Sequence, residues 1–300
     1  MIMLCGLPGS GKSAYALKMA KKEDMVIHSS DKLRKELGVD VGDRTQNQKL
    51  FSELHKRIKE DLKNSKSVIY DACNINYKQR MGFLNELKRI SCYKECVVIA
   101  TSYEDCLIDN QKRGMTVPKE VITKMYKQWT TPYIYEGWDE VRLRCRGRNY
   151  LTPGAFILNN RSFEQENQHH LLSLGDHCGK AAGYINSLYP DRQDLIRAAM
   201  LHDCGKPFTK SYLHSNGNIT EEACYYNHQN VGAYDSLFYM AEDMDSRLYG
   251  SVLIQFHMHP YFWEQQGANT EKLKNKYRKL WGEEMYQDII DLHNADVAAH

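Results

Sequence analysis

Residues Gly6–Ser13 read GLPGSGKS, between an apolar run, MIMLC (1–5), and a stretch of helix formers, SAYALKMAKK (13–22). This fills the pattern G-x-x-x-x-G-K-[ST] in the strand–loop–helix setting that gives it meaning. Gly6, Gly9 and Gly11 let the backbone wrap a phosphate with its N–H groups turned inward. The expected phosphate cradle is Gly9, Ser10, Gly11, Lys12, Ser13 and Ala14, taking ATP or another nucleoside triphosphate. Lys12 would reach the β- and γ-phosphates, and the Ser13 hydroxyl would complete a Mg²⁺ shell.

Outward from that loop, short β-rich segments recur: MVIHSS (25–30), SVIYD (67–71), ECVVIAT (95–101) and DEVRLRCRGR (139–148). Alternation of such segments with helical ones predicts an α/β domain built on a parallel sheet. The fourth strand, apolar throughout its centre, has the pattern of one buried on both faces. The second delivers Asp31, followed by the helical KLRKEL, so Asp31 and Arg34 share a helical face if the helix opens there. A carboxylate beyond a strand end can take a proton from an attacking hydroxyl, and an arginine beside it can hold an acceptor phosphate. The plain alternative is a capping Asp31 and a solvated Arg34. Asp71, closing the third strand, either meets metal-bound water, holds the acceptor loop or is structural. DNQKRGMTVPKEVITKMYKQW (109–129) reads as a helical lid, with Arg113 placed to close over the transferring phosphate. The alternating Arg142, Arg144, Arg146 and Arg148 either bind nucleic acid or protect a sheet edge.

These motifs, GLPGSGKS, SSDKLR, YDACNINYKQR and NQKRGMTVPKEVITKMY in that order, resemble the kinase domain of the bacteriophage 5′-polynucleotide kinase family over residues 1–145. The resemblance implies that Lys12 and Ser13 serve the donor and that Asp31 is general base toward a 5′-hydroxyl. It also implies that Arg34 holds the acceptor's neighbouring phosphate and that Arg113 is the lid arginine. The chain departs from the phage pattern at Asp109, where that member has a further arginine; Lys112 is the compensating cation nearby.

At about 150 residues per domain, 300 residues predict two domains, with the boundary at 150: residues 1–150 a P-loop kinase-like domain and 151–300 a second domain. The turn formers of TPGAFILNNRS (152–162) separate them. The halves differ in charge: residues 1–150 carry 28 basic and 19 acidic side chains, and residues 151–300 carry 12 and 19. A net +9 against −7 suits the first half to a polyanionic partner. Ten of the twelve histidines lie at or beyond His169.

From residue 165 the segments read as helices: HHLLSLGDHCGKAAGYINSLY, QDLIRAAMLHDCGKPF, QNVGAYDSLFYMA, YGSVLIQFHMH and EEMYQDIIDLHNADVAAH. With His228 directly before the third, they contribute one set: His177, His202, Asp203, His228, His257 and Asp296. A lone buried histidine is usually a satisfied core residue. Six candidates beside helical apolar stripes, one an adjacent His-Asp pair, instead suit imidazole and carboxylate ligands to one or two divalent ions such as Mn, Fe, Co, Ni or Zn. His177, His202, Asp203 and Asp296 are assigned to one ion, and His228 and His257 to a second, with Asp203 bridging. Lys206, three residues past Asp203, would neutralise a phosphate oxygen. His259 is passed over because Pro260 breaks its element; His169, His170, His214 and His293 are assigned to surface, packing or outer positions.

The order H…HD…H…H…D is the signature of the HD-domain metal-dependent phosphohydrolase superfamily, and LGDHCGKAAGY, LHDCGKPF, YYNHQNVGAYDSL, FHMHPYF and LHNADVAAH resemble it. The implied architecture is an α/β P-loop kinase domain followed by an all-α HD-domain bundle. It is similar to bacterial enzymes that pair these domains in the reverse order. The resemblance implies nucleic-acid end healing: 5′-OH phosphorylation together with hydrolysis of RNA 2′,3′-cyclic or terminal phosphates. The partners would be RNA or DNA ends, RNA favoured, with a separate ligase downstream. Two other readings stand beside it: a nucleoside or nucleotide kinase fused to a nucleotide phosphohydrolase, and an ATP-sensing P-loop module on a hydrolase. Arg34 weighs against the first, since a nucleoside offers no flanking phosphate; Asp31 weighs against the second, since a sensor needs no base.

No run approaches 18 apolar residues, so no conventional membrane span is expected. The N-terminus reads as a domain's first strand and not as a signal peptide. Nine cysteines without a CxxC argue against a disulfide framework. A cytoplasmic enzyme is expected.

Overall fold

A computed structural model describes residues 1–39, 44–113, 116–146, 152–168, 171–239, 243–265 and 270–300. Arg148, His169 and His170 lie outside them. The chain separates into two compact units, Met1–Ile122 with Glu136–Gly147, and Thr123–Tyr135 with Arg148–His300.

The first unit carries β1 (Ile2–Cys5), α1 (Lys12–Glu23), β2 (Val26–Ser29), α2 (Ser30–Leu37), α3 (Arg44–Lys63), β3 (Val68–Asp71), α4 (Tyr77–Glu86), β4 (Glu95–Thr101), α5 (Tyr103–Gln111) and β5 (Glu140–Arg146). Its five strands are parallel in the order β2-β3-β1-β4-β5, as the alternation of strands and helices predicts. The three central strands are buried along their whole length, whereas β5, at the edge, buries Leu143 and leaves Arg144 and Arg146 exposed. Ile2, Leu4, Ile69, Val97 and Ile99 form one face of the core under Ala16 of α1. Burying such aliphatic side chains contributes about 1.5–3 kcal/mol each.

Buried polar groups tie the sheet to the loops that leave it. Arg80 and Glu136 pair with both side chains inaccessible, at 2.8 Å from Nε to Oε2, and Trp138 Nε1 donates to the same carboxylate at 2.9 Å. Arg80 also donates to the Asn74 carbonyl at 3.1 Å, and Asn74 Nδ2 donates to the Leu4 carbonyl at 2.9 Å. The loop after β3 is thereby clamped to the end of β1, and its Cys73 carbonyl accepts from the Gly6 N–H at 2.9 Å.

The second unit carries most of α6 (Lys119–Lys127), then α7 (Pro153–Asn159), α8 (Leu174–Leu188), α9 (Gln193–Leu201), α10 (Lys206–Thr209), β6 (Ser211–Leu213), β7 (Ile219–Cys224), α11 (His228–Tyr239), α12 (Met244–Phe256), α13 (His259–Gln265), α14 (Thr270–Trp281) and α15 (Glu283–Ala298). It is mostly helical, which corrects the all-α expectation. SYL and ITEEAC pair as an antiparallel hairpin around the turn SNG, a strand–turn–strand pattern that the surrounding helical periodicity hides.

The lid stretch is also split. Its C-terminal part, with residues up to 135, belongs to the helical unit: Trp129 is buried against the Tyr234 ring at 4.8 Å, and Tyr126 donates to Asp235 at 2.5 Å. Thr131 meets Ser251 at 2.6 Å and takes Gln255 as acceptor for its N–H. Buried aromatic and hydroxyl groups, not a change in composition, decide where this segment packs.

Several helices begin where the sequence offers a cap. Thr152, Ser173 and Asp243 accept from backbone N–H groups of the first turns of α7, α8 and α12. All nine cysteines are free. No described helix is long and apolar enough to cross a membrane.

Candidate active site and metal centre

The loop Gly6–Ser13 joins β1 to α1 at the C-terminal edge of the parallel sheet, where open α/β folds bind ligands. Gly9 and Gly11 take φ of +86° and +95°. A Cβ on Gly9 would stand 2.2 Å from the Cys106 carbonyl oxygen, so only glycine fits. Thr101 Oγ1, at the end of β4, donates to the Ser10 carbonyl at 3.0 Å and fixes the loop from the far side. Lys12 is buried, and its Nζ donates to the Leu7 carbonyl at 2.7 Å.

Ser13 Oγ donates to Asp71 Oδ2 at 2.9 Å. A hydroxyl beside a strand-end carboxylate is the oxygen donor set that a Mg²⁺ ion with triphosphate uses. Asp71 is thus held beside the serine of the phosphate loop.

Asp31 lies in the first turn of α2 but does not cap it; Ser29 holds the cap position. The register pairs Ser29 with Asp71 across β2 and β3, which brings Asp31 to the same sheet edge. Burial pushes the Cys73 thiol up, with Lys12 opposing and Asp31 and Asp71 adding, so three charges converge around that loop. Arg113 Nη2 donates to Asp31 Oδ2 at 2.7 Å. Arg34 Nη1 donates to Asn47 Oδ1 of α3 at 2.7 Å, a partner that no sequence signal marks.

Asp109 receives Lys112 at 2.9 Å and Arg146 at 2.7 Å, and these cations hold its carboxyl below the usual range. Lys112 is thus engaged by Asp109. Among the alternating arginines, Arg142 pairs with Glu95, its register neighbour's strand, and Arg146 with Asp109.

In the helical unit, five separate elements bring the His and Asp set together. The ligand atoms of His177 (α8), His202 and Asp203 (after α9) and Asp296 (α15) lie within 4.8 Å of one another. Asp203, His228 (start of α11) and His257 (end of α12) form a second such group. Asp203 is shared, and its two oxygens diverge. Oδ2 lies 3.4 Å from His177 Nε2 and 3.3 Å from His202 Nε2; Oδ1 lies 3.2 Å from His228 Nε2 and 4.0 Å from His257 Nε2.

The imidazoles are oriented from behind. Nδ1 of His202, His228 and His257 meets the carbonyls of Ala199, Tyr225 and Ile254 at 2.8, 2.8 and 2.6 Å. A carbonyl can only accept, so each Nδ1 carries a proton and each Nε2 is turned into the cluster. Among the described residues, the buried Nε2 atoms of His228 and His257 have no hydrogen-bond partner. Burial, reinforced by His202 and His228, pushes His257 down to about 3, so it stays neutral. Imidazoles with Nε2 turned inward, two carboxylates and orphaned buried nitrogens fit divalent metal ions.

Burial alone would raise the Asp203 carboxyl, but Lys206 and His202 hold it well below the usual range. Lys206 Nζ contacts Asp203 Oδ2 at 2.7 Å and Gln165 Oε1 at 2.7 Å. His202–Asp203 and Lys206 do not share a continuous helix: α9 stops at Leu201, and α10 begins at Lys206. Gly205 allows α10 to approach α11 closely, since a Cβ there would stand 2.1 Å from the His228 carbonyl oxygen and 2.6 Å from the Gly232 nitrogen. That close approach of α10 to α11 places His228 opposite Asp203.

His259 packs among Phe256, Tyr277 and Trp281, and burial pushes it down to about 4. His214 lies 3.9 Å from Cys224 Sγ on the hairpin, and His293 is buried in α15. Two neighbours were not anticipated. Gln165, buried ahead of α8, has no motif to mark it. His300 Nε2 lies 3.6 Å from Asp296 Oδ1, one helical turn on, and that spacing was the available signal.

The profile of the family described as AAA domain matches residues 1–132. The chain is similar to an L-seryl-tRNA(Sec) kinase of Methanococcus maripaludis, 31% identical over 144 residues, 46% of this chain and 56% of that protein. The chain thus spans little more than half the length of this relative. Among solved structures, a gluconokinase from Sinorhizobium meliloti 1021 is 15% identical with a TM-score of 0.36, over 48% of this chain and 81% of that one. A sugar kinase from Janibacter sp. HTCC2649 is 14% identical with a TM-score of 0.37, over 49% and 83%. The chain is an α/β P-loop domain followed by a mostly helical domain with His and Asp clusters of a kind that could hold metal ions.

Proposed function

We propose that the chain joins an ATP-dependent hydroxyl kinase to a metal-dependent phosphohydrolase, and that both act on nucleosides or nucleotides. The observation that carries the kinase half is Asp31, set by the β2–β3 register beside the P-loop edge and bonded to Arg113. A carboxylate there can accept the acceptor's proton while Lys12 and Arg113 stabilise charge on the transferring phosphoryl group. Ser13 and Asp71 would hold Mg²⁺ with the triphosphate.

For the hydrolase half, His177, His202, Asp203 and Asp296 would hold one divalent ion, and Asp203, His228 and His257 a second. Such ions supply Lewis-acid polarisation of a phosphate ester. Lys206, buried at Asp203, adds a fixed positive charge beside the ester's oxygens.

Polynucleotide ends are the second reading, favoured by Arg34. It stands one turn beyond Asp31 on α2, where it suits a phosphate flanking the acceptor hydroxyl. The relative's name, that of a kinase for L-seryl-tRNA(Sec), supports an acceptor carried on RNA. On this reading RNA or DNA ends are the partners, a ligase completes the repair, and the setting is cytoplasmic.

The test offers [γ-³²P]ATP with nucleosides, nucleotides and 5′-OH RNA, and separately offers nucleotides and 2′,3′-cyclic-phosphate RNA with divalent metals. Label transfer lost in Lys12→Ala and Asp31→Ala, and hydrolysis lost in Asp203→Ala, supports the bifunctional reading. The acceptor that is labelled chooses between its two forms. ATP binding without transfer to any acceptor overturns the kinase half.

A further inference from the structure

Arg146 is the last residue of β5 and pairs in register with Thr101, whose hydroxyl holds the Ser10 carbonyl. The sheet therefore delivers an arginine from its edge strand to the phosphate loop. Arg146 Nη1 lies 3.0 Å from the point where a Cβ on Gly11 would stand, and its Cδ lies 4.0 Å away. Its other terminal nitrogen is held 2.7 Å from Asp109 Oδ2 on α5. One end of the guanidinium is anchored and the other is laid against the loop. Its side chain is 58% exposed, so a ligand in the loop can reach it.

We infer that Arg146 is a donor-nucleotide residue that bonds the polyphosphate held by Gly6–Ser13, and that Asp109 is the residue that positions it. This rests on the kinase reading and adds to it a charge from the opposite end of the domain. A guanidinium with one fork on a carboxylate and the other presented to solvent is ordered before the anion arrives, so less freedom is lost on binding. Gly11, lacking a side chain, leaves the space the guanidinium occupies. Edge protection explains neither the contact with Gly11 nor the anchor on Asp109.

The test measures binding of Mg·ADP and of Mg·tripolyphosphate to the full chain by calorimetry, for the parent and for Lys12→Ala, Arg146→Ala, Arg146→Lys, Asp109→Asn and Asp109→Glu. Loss of a charge-assisted contact should weaken both ligands about tenfold in Arg146→Ala. Arg146→Lys should keep part of the affinity, guarding against simple misfolding. Asp109→Asn should fall between parent and Arg146→Ala, and Asp109→Glu should recover toward the parent. If Arg146→Ala binds both ligands as the parent does while Lys12→Ala does not, the inference is overturned and the kinase reading stands. Weakened ADP with unchanged tripolyphosphate also overturns it, since the arginine would then read the nucleoside. If the parent binds neither ligand, both the kinase reading and the inference fall.

Discussion

Arg113 Nη2 stands 2.7 Å from Asp31 Oδ2, so the arginine beyond α5 neutralises the carboxylate that opens α2. Both side chains are partly exposed, so the contact is open to exchange with a ligand at this edge of the sheet. On the proposed kinase reading, the carboxylate would then serve as the base and the arginine would be released toward the phosphoryl group.

Asp31→Asn keeps the side chain's shape and removes its basicity. Transfer from ATP should fall by about 10²–10⁴-fold, while ADP affinity stays near that of the parent. Single-turnover transfer beside ADP calorimetry checks this; an equal loss in both would assign Asp31 to nucleotide binding.

The shared position of Asp203 predicts unequal effects of ligand substitution. Asp203→Ala should abolish binding at both groups, whereas His257→Ala should leave the group of His177, His202 and Asp296 with its ion. Metal content after dialysis against limiting Mn²⁺ distinguishes them. Retention of the parent's stoichiometry by Asp203→Ala would exclude the bridge.

Gly205 and Gly183 provide a matched pair. A methyl group at Gly205 meets the His228 carbonyl and the Gly232 nitrogen, while one at Gly183, within α8, meets nothing within 4 Å. Gly205→Ala should destabilise by about 1–3 kcal/mol, and Gly183→Ala should stabilise by about 0.5–1 kcal/mol. Denaturant melts of the full chain give both numbers; a neutral Gly205→Ala would show that α10 can move off α11.

The Arg80–Glu136 pair is inaccessible on both sides, and Glu136 also accepts from Trp138. Glu136→Ala leaves a buried guanidinium uncompensated and should cost about 3–5 kcal/mol. Arg80→Met combined with Glu136→Leu should recover much of that loss, since neither charge then remains. Melting temperatures of the three chains decide it.

GLPGSGKS between an apolar strand and a helix determined the phosphate loop, because the pattern is local: each residue acts through its own backbone or a neighbour a few positions away. The parallel sheet followed from strand composition for the same reason. The six His and Asp candidates were also readable, since a ligand must keep its chemical type wherever the chain carries it. What the sequence did not contain was the pairing of distant side chains. That Asp203 sends one oxygen to each histidine group depends on Gly205 bringing α10 onto α11. That Asp109 holds Arg146 depends on β5 lying at the sheet edge. Residues 123–129 left the lid they were read into because Trp129 and the following Thr131 are buried against α11 and α12. The hairpin within the helical half escaped a reading based on helical periodicity. Local chemistry is written in the order of residues; which of those residues meet is decided by burial and packing between segments far apart in the chain.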